Sequence, residues 1–121
     1  MYCKQHAVAL TTDGDGGATG YTPVVRGRIL QIRNVKDDFA AGVDFTVTLE
    51  TSGTAVWAQL NVNASATVLP RQAAHSAAGV AAEYADGYPV LEPVYVDGER
   101  VKIVVAEGGD TKSGTLYVLV G

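Results

Sequence analysis

The chain has one cysteine, four prolines and only 7% aromatic residues, and just 18% of its 121 residues are charged. A lone cysteine, Cys3, cannot form an internal disulfide, so the fold has to be held by its core, and synthesis in a reducing compartment is expected. Lys and Arg never occur in a run, and the formal net charge is -4. Phosphate recognition needs a basic patch, so no nucleic-acid partner is expected. No apolar stretch approaches the roughly 20 residues that a membrane-crossing helix requires, and no membrane partner is expected either. The opening MYCKQHAVALTT lacks a basic segment followed by an apolar stretch and a small-residue cleavage site, so no secretion signal is read there. No segment of about 12 residues carries apolar residues at helical spacing between the strands, which favours an antiparallel design over one built on crossover helices.

What the chain does have is two-residue alternation. Val43, Phe45, Val47 and Leu49 face one way while Asp44, Thr46, Thr48 and Glu50 face the other, the pattern of a half-buried antiparallel strand. Val101, Ile103 and Val105, then Leu116, Val118 and Val120, repeat it near the end of the sequence. Further strands are expected at His6–Leu10 and Arg28–Val35, with a bend or bulge near Gly27. Ser52-Gly53 is read as a turn joining Val43–Leu49 to a partner strand in which Val56, Ala58, Leu60 and Val62 face inward. Trp57, Gln59, Asn61 and Asn63 then face outward, leaving an exposed tryptophan that needs a partner surface. Asp97-Gly98 is read as a two-residue hairpin turn placing Val94–Val96 beside Arg100–Ala106. TTDGDGGATG and EGGDTKSG read as loops. Residues 71–88 combine an Ala-rich run with interrupting glycines, and are expected to form a loop with a short strand at Val80–Tyr84. No internal repeat is apparent. Seven or eight short strands in a chain near the commonest domain size predict one all-β domain spanning residues 1–121, an antiparallel β-sandwich or a jelly-roll or barrel-like variant. Its expected core is the fourteen inward positions from Val43 to Val62 and from Val101 to Val120 named above.

Each group of residues that could carry chemistry is incomplete. Asp13-Gly14-Asp15-Gly16-Gly17 resembles an acidic calcium loop, but Gly17 takes the fifth ligand position and Val24 the twelfth, where a bidentate Glu is required. The same glycines lack the Lys-Ser/Thr ending of a phosphate loop. Cys3 and His6 could supply two zinc ligands, yet four are needed and the only other histidine, His75, is remote in sequence. His75-Ser76 has no nucleophile-elbow context. Asp37-Asp38 beside Lys36 reads as a solvated turn rather than a catalytic carboxylate pair. No catalytic residue, metal or cofactor is therefore expected, and the protein is not expected to be an enzyme. Trp57, Tyr84, Tyr88 and Tyr95 are the candidate interface residues, able to form a subunit contact or a sugar-binding platform.

The segments HAVALTTDGDGGATGYTPVVRGRILQIRNVKDD, FTVTLETSGTAV, LPRQAAH and GERVKIVVAEGGDTKSGTLYVLVG resemble, in that order and over nearly the whole chain, a family of small virion-associated structural proteins of tailed bacteriophages. The most specific portions are Gly20-Tyr21-Thr22-Pro23, Pro70-Arg71-Gln72, Gly98 to Lys102 and Lys112-Ser113-Gly114-Thr115. These are turns and strand starts, not an active site. The resemblance implies a capsid decoration (cement) protein, made in the host cytoplasm and located on the virion, that binds the major capsid protein as a homo-oligomer. The alternative is a tail-associated module binding carbohydrate or a host receptor.

Overall fold

The computed structural model describes residues 3–35 and 38–121. Ten strands follow one another: β1 (Lys4–Thr11), β2 (Ala18–Tyr21), β3 (Val25–Val35), β4 (Val43–Leu49), β5 (Ala55–Val62), β6 (Ala66–Val68), β7 (Arg71–Ala73), β8 (Leu91–Glu99), β9 (Val101–Ala106) and β10 (Ser113–Val120). No described residue is helical. The strands form two antiparallel sheets, a larger one ordered β1-β10-β3-β8-β7 with β6 also on β3, and a smaller one ordered β2-β9-β4-β5. The all-β class expected from the alternation is what the chain adopts, in an arrangement consistent with a sandwich.

The apolar faces meet between the sheets in one cluster. Val8, Leu10, Ile29, Ile32, Val94, Val96, Leu116 and Val118 come from the larger sheet, and Val43, Phe45, Val47, Leu49, Val101, Ile103 and Val105 from the smaller. Phe45 is fully buried at the centre of the aromatic packing. Phe39 meets it edge-on at 5.9 Å, and Trp57 stacks on it at 5.7 Å.

Three expectations need correction. Val94–Val96 and Val101–Ala106 do not form a hairpin: β8 lies in the larger sheet and β9 in the smaller. Asp97-Gly98 is a bulge inside β8, where Val25 pairs with Glu99 but Arg26 pairs with Asp97. Gly98 is the extra residue, and its φ of 69° is the left-handed conformation that made Asp-Gly look like a turn. The chain then crosses from one sheet to the other at Arg100.

The second correction concerns β5. Its pairing with β4 slips twice, between Val43 and Phe45 and between Val47 and Thr48. Each slip exchanges which residues face the core. Trp57 therefore lies opposite Val47, on the core side, and Ala58 lies opposite Thr46 on the outside. Ala58 is exposed and Leu60 is 71% exposed, so neither belongs to the core, while Trp57 is half-buried against it.

Third, short strands were overlooked. β2 takes up the end of the glycine-rich stretch read as loop, and β6 and β7 are only three residues each. Val80–Tyr84 is not a strand; isolated pairings of His75 with Ala81 and Glu83 with Pro89 stand in its place.

Candidate functional site

Between β7 and β8, residues 74–90 form a knob that contributes nothing to the core. Its frame is a closed ring of three backbone hydrogen bonds. Ala74 N–H donates to the Val90 carbonyl (2.9 Å), Val90 N–H to that of Ala82 (3.0 Å), and Ala82 N–H to that of Ala74 (2.7 Å). The chain passes the ring three times, eight residues apart, and two tight loops of the same form connect the passes. In one, Ser76 N–H donates to Val80 and Gly79 N–H to Ser76; in the other, Tyr84 N–H donates to Tyr88 and Gly87 N–H to Tyr84, all at 2.8–2.9 Å. Gly79 (φ 78°) and Gly87 (φ 86°) hold equivalent positions. AHSAAGVA and AEYADGYP are thus two copies of one eight-residue unit, a repeat that the sequence reading missed. Side chains support the loops: Ser76 Oγ accepts from Ala78 and Val80 N–H, and Asp86 Oδ1 from Tyr88 N–H.

Because the backbone groups bond to one another, the side chains at the outer positions are left to solvent. Val80, Tyr84 and Tyr88 are 64%, 61% and 69% exposed. Large apolar side chains gathered in the open on a frame closed by its own backbone hydrogen bonds mark an interaction surface. The structure brings Tyr84 and Tyr88 together on one loop. Tyr95 sits apart, on β8 opposite Arg28 in the β3–β8 pairing, and Trp57 is in the other sheet, turned toward the core. These four residues are not one cluster.

Tyr95 belongs instead to the outer face of the larger sheet. On that face Arg33 lies with its guanidinium 4.4 Å over the Tyr117 ring, Arg28 donates through Nε to the Gly121 carbonyl at 3.2 Å, and Arg71 lies opposite Pro93. Asp97 is paired with Arg26 at its margin, at 3.5 Å. Sequence reasoning did not single out Arg28, Arg33 or Tyr117, although strand parity alone sets Tyr117 opposite to the buried Leu116 and Val118.

The remaining candidates have structural roles or stay incomplete. Asp13 Oδ1 accepts from the N–H groups of Asp15 and Gly17, closing its own loop. Cys3 is exposed. Burial, then the nearby Lys4 charge, lowers the His6 pKa below its ordinary value. Among the described residues no group of three or more His, Cys, Asp and Glu side chains is gathered to hold a metal ion. Lys36 and Asp37 lie outside the described residues, whereas the Asp38 carboxylate accepts from Ser113 N–H. Arg100, where the chain changes sheets, is clamped between the Glu50 carboxylate and the Tyr21 ring, 4.0 Å away. Glu99 Oε1 accepts from Thr51 and Ser52 N–H at 2.8 and 2.9 Å, fixing the β4–β5 turn. One buried group stands unexplained: the Asn34 amide, on β3, has no hydrogen-bond partner among the described residues on either its nitrogen or its oxygen.

No protein-family model and no curated protein matches this chain.

Proposed function

We propose that the protein is a virion structural protein of a tailed phage, a capsid decoration protein that binds the major capsid protein on the outer head surface and stabilises the shell as a symmetric homo-oligomer. The observation that carries this reading is the knob of residues 74–90, a backbone-closed frame presenting Val80, Tyr84 and Tyr88 to solvent. Tyrosines held in this way bury large area at little conformational loss, which suits a contact between proteins. A shell offers many symmetric copies, so modest contacts add up. The segment-by-segment resemblance to phage virion proteins supports the same assignment. Quantitative gel analysis and electron microscopy of purified particles test it. The expected result is a copy number matching the major capsid protein and density on the head surface. A handful of copies at the tail tip would replace the reading with receptor or carbohydrate binding, and absence from virions would end both.

A further inference from the structure

We propose that the knob of one copy seats on the outer face of the larger sheet of a second copy, in a head-to-tail contact. This rests on the homo-oligomer part of the reading above and not on the capsid part.

Charge complementarity selects this seat. The knob carries Glu83 and Asp86 beside its exposed tyrosines and has no Lys or Arg. The outer sheet face presents Arg33 and Arg71 beside Arg28, whose Nε is engaged by Gly121, and among the described residues of that face the outward carboxylate, Asp97, is already paired with Arg26. Strands β1, β10, β3 and β6 contain no Asp or Glu among their described residues. Area points the same way. Two tyrosines bury on the order of 300–500 Å², whereas a stable interface removes about 800 Å² from each partner. The tip must therefore meet a broad surface and not a slot, and the sheet face supplies one, with the exposed Tyr95 as aromatic ground. The carboxylates of the knob then face the arginines, an arrangement that sets register and orientation more than raw affinity. The backbone ring of Ala74, Ala82 and Val90 means that little ordering is required on contact. Two different patches meeting make a heterologous interface, which closes into a ring when the rotation allows.

Sedimentation equilibrium of the isolated protein across a concentration series tests this. The wild type should self-associate. Tyr84→Ser with Tyr88→Ser should weaken association at least about 30-fold, the effect of one interface hot spot, while keeping the melting temperature that the wild type shows at dilutions where it is monomeric. Arg33→Glu, with its tip intact, and Glu83→Arg, with its face intact, should each fail to self-associate. Mixed together they should associate again, since the intact tip of one meets the intact face of the other and the two reversed charges also face each other. A wild type monomeric at every concentration, or association indifferent to these changes, overturns the proposal, as does a mixture that stays monomeric. Whether the protein is found on particles is a separate result that this measurement leaves unaffected.

Discussion

Replacing Phe45 with alanine tests the packing at its most concentrated point. The side chain is fully buried between the sheets, edge-on to Phe39 and stacked on Trp57. Truncating a buried Phe to Ala costs about 3–5 kcal/mol through lost transfer energy and the cavity left behind. Each aromatic pair contributes about 0.5–1.5 kcal/mol beyond its area, partly counted already in the truncation, so the upper part of that range is expected. Against a total stability of about 5–15 kcal/mol this removes a large fraction. At about 2.1 cal/mol/K of unfolding entropy per residue, a chain of 121 residues shifts by about 4 °C per kcal/mol, so the melting temperature should fall by about 16–20 °C. Urea unfolding gives the free energy directly and calorimetry the temperature. Leu60→Ala is the internal comparison: simple alternation puts Leu60 in the same core, but the bulged β5 puts it outside, so its loss should stay within about 0.5 kcal/mol. A Phe45→Ala loss under about 1.5 kcal/mol, or equal losses for the two variants, would refute this account of the packing.

Other substitutions probe different physics. Gly114→Ala should destabilise by about 1–3 kcal/mol through overpacking, because a Cβ there would lie 2.7 Å from Phe39 Cδ2; unchanged denaturant midpoints would show that the ring moves aside. Asn34→Leu should raise stability by about 1 kcal/mol, since an unpaired buried amide is replaced by an apolar side chain of similar size; a loss on urea unfolding would mean that the amide is satisfied in solution. Acid should weaken the fold through Glu50, held below the usual carboxylate pKa by its hydrogen bond to Arg100, and Glu99, held there by the Ser52 and Thr51 N–H groups. Their folded values lie below their unfolded ones, so their contribution is complete above the unfolded carboxylate value and fades as pH falls through the folded one. Glu99→Gln should therefore lose less of its melting temperature than the wild type on acidification, and parallel curves for the two would contradict this.

The strands that bury one face throughout were readable because the alternation has a physical cause that nothing interrupts. β4, β9 and β10 each keep every second side chain in the core. β5 defeats the same reasoning. As an edge strand it pairs on one side only, so two bulges are tolerated, and each moves a residue that counting by twos cannot place. Trp57 turns inward for this reason, and the expectation of an exposed tryptophan fails with it. Asp97-Gly98 misled in a related way. A left-handed glycine after aspartate is demanded equally by a two-residue hairpin and by a bulge, and local chemistry does not distinguish them. What decides is that Arg100 is held by Glu50, in the turn that follows β4, and by Tyr21 of β2, contacts between residues far apart in sequence.

The knob was hidden for another reason. Its period of eight matches neither the strand nor the helix spacing, and its stabilising groups are backbone atoms, which leave little mark on side-chain identity beyond small residues at 74 and 82 and glycine at 79 and 87. Tyr84 and Tyr88 were visible as aromatic residues but not as a pair on one loop. The same backbone closure has a consequence for how this surface can vary. Since the ring and both loops are held without the aromatic rings, Tyr84 and Tyr88 can be exchanged with little effect on folding, whereas Phe45 cannot. Selection on binding can therefore act on the knob almost independently of selection on stability, which separates this surface from the core beneath it.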